Sequence, residues 1–301
     1  MFIADTHSDT LYALGIHHAA VDRLMISPDK LCKGGVSMQT FALWTGPKGR
    51  HGNVQDIVLA ELGAIPMFTE NGIRQVDDPS EVLEGETTFM LSVEGGEVFE
   101  YGIAQVARFR DYGVRMVALT WNHENAIGFP AKSGSTQGLT DYGIRVVREM
   151  QRLHMAVDTS HLNEAGFYDL FRKTDQPPMA SHSCCSALCR HFRNLTDDQI
   201  RLMIRNGGYI GINFYPEFLS EDGHADISTV VQHIDHICQM GGSEIVGFGS
   251  DFDGIEITPE GLDGADRIPA LLQALRDTGM PEKTVEGIAG ENLRAYFRRI
   301  A

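Results

Sequence analysis

Five times along this chain a short apolar run ends in a side chain of the kind that holds a metal ion. Phe2-Ile3-Ala4 leads into Asp5, His7 and Asp9, and Phe89-Met90-Leu91-Ser92-Val93 leads into Glu94-Gly95-Gly96. Met155-Ala156-Val157 leads into Asp158 and His161, Pro178-Met179-Ala180 into His182, and Val246-Gly247-Phe248-Gly249 into Asp251 and Asp253. A buried parallel strand reads this way when its C-terminal end faces an active site. One such run is easily chance. Five of them, spread over the whole chain, point to a single site that collects a ligand from each strand.

Eight strands are expected, at 2–5, 37–44, 88–93, 115–120, 156–159, 179–182, 208–214 and 245–251. Most intervening segments are long enough for a helix. Apolar residues recur at helical spacing in 55–71, with Ile57, Val58, Ala60, Leu62 and Ile65, and again in 142–152, 197–205 and 228–240. Thr196 with Gln199 three residues on has the form of a helix start. The segment 281–299 reads as one or two helices broken near Gly287 and Gly290. Eightfold alternation of strand and helix favours a single-domain (β/α)8 barrel of the TIM type with C-terminal helices, one unit over residues 1–301.

Composition narrows the partners. Lys and Arg number 25 against 41 Asp and Glu, a formal net charge of −16, which argues against nucleic acid or an anionic membrane surface. The start, Met1-Phe2-Ile3-Ala4-Asp5, has no basic region and no long apolar stretch, and no run approaches the ~20 residues of a membrane span. Five cysteines, an odd number, suit reduced thiols. The expectation is a cytoplasmic protein. Cys185 and Cys189 lack a second pair to complete a metal site, so they are read as structural.

His7 and Asp9 are two apart at a strand end and so point the same way, fit to hold one divalent ion. Asp5 either supports them from behind or simply ends the strand. Glu94 ends a buried run, where an unpaired charge is costly and a metal would satisfy it. His161 and His182 close the fifth and sixth expected strands, and neutral imidazole is a common zinc ligand. His123, His191, His233 and His236 fall in loop or helix contexts. Asp251 or Asp253 at the last strand end is placed to move protons, with Asp251 the closer to the strand. Arg193 lies in the loop after His182, where a guanidinium fork can grip a carboxylate.

Together these stretches resemble the membrane (renal) dipeptidase family, zinc dipeptidases whose barrel is related to that of the amidohydrolases. The matching segments are Asp5-Thr6-His7-Ser8-Asp9-Thr10, Val93-Glu94-Gly95-Gly96, Asp158-Thr159-Ser160-His161, Ser181-His182-Ser183 with Arg193-Asn194, and Gly249-Ser250-Asp251-Phe252-Asp253-Gly254. The resemblance implies two divalent metal ions, most simply zinc. His7 and Asp9 would hold one, His161 and His182 the other, and Glu94 would bridge them. It also implies a shared hydroxide as nucleophile, Asp251 as proton shuttle, Arg193 on the terminal carboxylate of a dipeptide substrate, and a homodimer.

Two departures stand out. The family usually carries a His directly after Leu-Thr at the end of the fourth strand, in contact with substrate. Here Leu119-Thr120 is followed by Trp121, whose indole N–H can only donate, while His123 stands two residues further on. Trp121 and His123 are therefore the expected substrate neighbours on that side. The best-known members are also secreted and lipid-anchored, and this chain resembles the shorter bacterial branch. Two other readings compete: a metal-dependent hydrolase of another amide or ester on the same barrel, such as an N-acyl amino acid or a cyclic amide, and a binding protein with a decayed site.

Overall fold

Every residue of β2 (Met38–Trp44) and β4 (Thr88–Glu94) is buried, so both faces of these strands are covered and the sheet cannot be an open antiparallel one. The computed structural model describes residues 1–46 and 53–301. Its other strands are β1 (Ala4–Asp5), β3 (Arg74–Gln75), β5 (Val114–Ala118), β6 (Ala156–Asp158), β7 (Met179–Ala180), β8 (Tyr209–Ile212) and β9 (Val246–Phe248). All pairings are parallel. They run β1–β2–β4–β5–β6–β7–β8–β9, and the pairing of Asp5 with Phe248 brings β9 back to β1. The result is a closed eight-stranded barrel wrapped by helices. All eight expected strands belong to it. β3 is additional: it pairs only with the first residues of β4, outside the ring, and its two polar residues leave no apolar run to read.

Several strands end earlier than their apolar runs. At these points backbone amides turn from the ladder to carboxylates. Asp158 accepts from Ser181 N at 2.9 Å, and Asp5 accepts from Ser250 N at 2.9 Å. The chain leaves the sheet there and aims the following side chains into the mouth.

The capping box at Thr196 and Gln199 opens the helix Asp197–Asn206 as expected. The expected helix at 55–71 is two helices, Val54–Leu62 and Pro66–Thr69. Pro66 has no N–H to continue the first one. The terminal segment does break, into Glu282–Glu286, Gly287–Glu291 and Asn292–Ile300. A Cβ on Gly290 would stand 2.6 Å from the Phe2 ring, so only glycine lets the kink pack on the first strand. The last helix then buries Leu293, Tyr296, Phe297 and Ile300 against Phe2, Met38, Met90 and Met116, closing the N-terminal end of the barrel. The opposite end, where the ligand-type residues lie, is the one left open for chemistry. Among the described residues, no helix is long and apolar enough to cross a membrane.

Candidate metal centre

The five residues singled out as ligands converge, and all are buried. Glu94, 3 % exposed, divides its two oxygens. Oε1 lies 2.8 Å from His161 Nε2 and 3.5 Å from His182 Nε2, while Oε2 lies 3.8 Å from His7 Nε2. His7 Nε2 is also 3.6 Å from Asp9 Oδ2 and 3.7 Å from Asp251 Oδ1. The rings of His7 and His182 stack at 3.8 Å. Two sets, His7 with Glu94 and His182, and His7 with Asp9 and Asp251, each bring their ligand atoms within 4.8 Å of one another.

Among the described residues, His7 Nε2, His182 Nε2 and Asp9 Oδ1 are buried without a hydrogen-bond partner. Orphaned polar atoms at this depth are costly unless something completes them. Burial, then the charge of Asp9, holds Glu94 well above the usual carboxylate range. Burial opposes a charged imidazole at His7, yet Glu94, Asp9 and Asp251 together push it up to about 10. This spot draws positive charge, which a metal ion supplies as well as a proton does. His161 and His182 are held well below the ordinary histidine range, by burial and then by neighbouring cations, so their imidazoles are neutral. Neutral imidazole and carboxylate are a donor set that zinc accepts. The residues fit a divalent metal ion.

Supporting side chains set the imidazole tautomers. Ser181 Oγ hydrogen-bonds Asp158 and lies 2.7 Å from His182 Nδ1. With Asp158 accepting from the hydroxyl, His182 Nδ1–H donates to Ser181 and the Nε2 lone pair faces Glu94. Asn122 Oδ1 lies 3.2 Å from His161 Nδ1 and does the same for that ring. Asn213 Nδ2 donates to Asp251 Oδ2 at 2.8 Å. Two site residues have left-handed backbone, His161 with φ 68° and Asp251 with φ 64°, a strain that persists only where the surroundings enforce it. Burial pushes the Asp251 carboxyl up to about 6. Asp5 receives the amides of Ser250 and His7. Asp253 is turned away, accepting from Thr10 Oγ1 at 2.7 Å and Met25 N at 2.6 Å to pin that segment.

A family model described as membrane dipeptidase, peptidase family M19, matches residues 1–300. The chain belongs to the membrane dipeptidase family. It is 34% identical over 222 residues to an uncharacterized dipeptidase of Schizosaccharomyces pombe, covering 71% of this chain and 53%, about half, of that relative's length. It is 35% identical over 218 residues to an uncharacterized protein of the pqqA 5′ region in Klebsiella pneumoniae, covering 69% of this chain and 80% of that one. Among solved structures it resembles a Rhodobacter sphaeroides metallo peptidase liganded with a phosphinate mimic of L-Ala-D-Ala. The TM-score is 0.90 and the identity 27%, over 100% of this chain and 99% of the other. A family M19 dipeptidase, dipeptidase AC, superposes with TM-score 0.89 at 28% identity, over 99% and 98%.

In this member of the membrane dipeptidase family, Arg193 is buried beside the cluster. Its Nη2 donates to His182 O at 3.2 Å, and its Nε has no hydrogen-bond partner among the described residues. It borders a cavity of about 650 Å³ that Thr136, Tyr168, His191, Phe192 and Asn194 also line. Trp121 is half-buried, with its ring 6.3 Å from the His161 ring; His123 is exposed and lies 5.6 Å beyond it. His233 and His236 serve the scaffold. His233 accepts from Cys185 N at 3.0 Å and bonds Leu219 O, and His236 pairs with Asp197. Cys184, Cys185 and Cys189 are buried free thiols donating to backbone carbonyls, and burial pushes all three up, in keeping with a structural role. Asn122, Ser181 and Asn213 were not singled out by the sequence, and Asp158 was marked only as a strand-end carboxylate without a role. Asp158 and Ser181 did lie within the family-like segments, whereas Asn122 and Asn213 carried no signal.

Proposed function

We propose that this protein is a metal-dependent dipeptidase that holds two divalent ions, zinc by the chemistry of its donors. The observation that carries the reading is Glu94, with one oxygen toward His161 and His182 and the other toward His7. His7 and Asp9 would hold one ion, His161 and His182 the other, and Glu94 would reach both. When bound, such a pair makes water nucleophilic at neutral pH and polarises the scissile carbonyl.

The chain's own residues do the rest. Asn213 fixes Asp251 Oδ2, which leaves Oδ1 toward the cluster. From there Asp251 takes a proton from the attacking water and returns it to the leaving amine. Arg193, with Nε free of protein partners, grips the substrate's C-terminal carboxylate. Trp121 and His123, in the segment after β5, border the substrate. The mimic of L-Ala-D-Ala held by the Rhodobacter relative supports a dipeptide as substrate.

The test is a dipeptide panel assayed on protein as purified, after dialysis against chelator, and after zinc is restored. Turnover that disappears with chelation and returns with zinc is expected. Turnover that persists without metal, or no turnover of any dipeptide by the zinc-loaded protein, would overturn the reading.

A further inference from the structure

Both tryptophans of the chain stand on one side of the mouth. Trp44 ends β2 in register with Glu94, and Trp121 follows β5. Their rings meet edge to face at 5.0 Å. Trp44 is held from three sides. Its backbone N–H donates to the buried Glu61 carboxyl at 2.9 Å, and the Tyr12 ring abuts it at 4.7 Å. The backbone at Gly46 passes so close that a Cβ there would fall 2.3 Å from the indole. Trp121 is thus braced from behind and keeps part of its surface open beside His161. A stiff aromatic surface of this kind binds apolar groups at low entropic cost.

Strand order says which part of a substrate reaches it. In the ring β1–β2–β4–β5–β6–β7–β8–β9, β2 stands four strands from β7 in either direction. Arg193 lies in the loop after β7, so Trp44 lies diametrically across the mouth from it. Glu94 ends β4, which stands between β2 and β5, so a dipeptide with its carboxylate at Arg193 and its scissile carbonyl at the Glu94 cluster sends its N-terminal residue past β4, where Trp44 and Trp121 flank it.

We propose that Trp121, braced by Trp44, forms the subsite for the side chain of the substrate's N-terminal residue and selects bulky apolar side chains, aromatic ones first. This rests on the dipeptidase reading. Discrimination in an apolar subsite of this kind is worth roughly 10–100-fold in kcat/KM.

The experiment measures kcat/KM of the zinc-loaded protein for Gly-Ala, Leu-Ala and Phe-Ala, in wild type, Trp121→Ala and Trp121→Phe. Wild type should favour Phe-Ala over Gly-Ala by at least about tenfold. Trp121→Ala should bring that ratio close to one, and Trp121→Phe should keep most of it. Phosphinate analogues of Phe-Ala and Gly-Ala give a readout without turnover: Trp121 forms the subsite and Trp44 abuts it, so the Phe analogue should change tryptophan emission more than the Gly analogue. Equal kcat/KM for the three dipeptides in wild type, or a ratio unchanged in folded Trp121→Ala, overturns the subsite alone. If Trp121→Ala fails to fold, the ratio in Trp121→Phe and the emission changes decide. No turnover of any of the three dipeptides overturns the dipeptidase reading and the subsite with it.

Discussion

Replacing Ser181 with alanine should cost this protein one metal ion before it costs the fold. Among the described residues the Ser181 hydroxyl is the only link between the Asp158 carboxylate and His182 Nδ1, and all three residues are buried. Asp158 keeps two other donors on Oδ1, the amides of Ser160 and Ser181, each at 2.9 Å. The carboxylate therefore loses one charge-assisted hydrogen bond, and the imidazole is left with an unpaired N–H. At about 1.5–3 kcal/mol for the first and about 1–3 kcal/mol for the second, the loss lies near 2.5–6 kcal/mol, part of it recoverable by a turn of the ring. That turn matters, because it takes the Nε2 lone pair off the Glu94 side. Losing such an orienting partner typically weakens metal affinity by roughly 10–100-fold. Competition against a chromophoric chelator, run alongside thermal melts, measures both effects. The second zinc equivalent should weaken by that factor while the first, on His7 and Asp9, stays within about threefold. If both zinc equivalents bind Ser181→Ala as tightly as wild type, His182 is not oriented as argued.

Asp251→Asn should keep both ions and lose about 10²–10⁴ in kcat, since it removes proton transfer and leaves the proposed ligands in place; loss of metal together with activity would make Asp251 a ligand of the His7–Asp9 ion. Arg193→Lys should lower kcat/KM for free dipeptides by about 10–100-fold, the equivalent of a charge-assisted bond, and barely change the slow turnover of dipeptide amides. Equal turnover of acid and amide by wild type would remove the carboxylate grip. Glu97 is buried against Thr45 Oγ1 at 3.0 Å, and burial pushes its carboxyl up to about 7 from an ordinary 4.5. The folded state holds that proton where the unfolded chain has released it, so stability falls as pH rises from about 4.5 to 7 and levels off above, a loss of up to about 3 kcal/mol. Melts of Glu97→Gln should show a flatter decline across that window than wild type, and parallel curves would refute the assignment.

Much of this was legible in the sequence, for physical reasons. Parallel barrel strands are buried on both faces, so 37–44 and 88–93 read as mainly apolar runs without polar alternation, and a run that stops at His, Asp or Glu marks the open end. The supporting shell was not legible in the same way. Ser181 finds Asp158 at a separation of 23 residues, Asn122 finds His161 at 39, and Asn213 finds Asp251 at 38. A lone Ser or Asn carries no pattern of its own, and only barrel closure makes these residues neighbours. The same holds for the brace of Tyr12 on Trp44, which needs β1 beside β2. Pro66 marks the helix break, but apolar spacing that continues past it gives the sequence the pattern of one helix.

The central claim is that Glu94 serves two metal ions. Metal analysis of the protein purified without chelator, paired with the same analysis of Glu94→Gln, tests it most directly. The account predicts close to two zinc-type ions per wild-type chain and a drop toward one in the variant, because an amide offers one oxygen and no charge. One ion per wild-type chain, or two in Glu94→Gln with undiminished affinity, would contradict it.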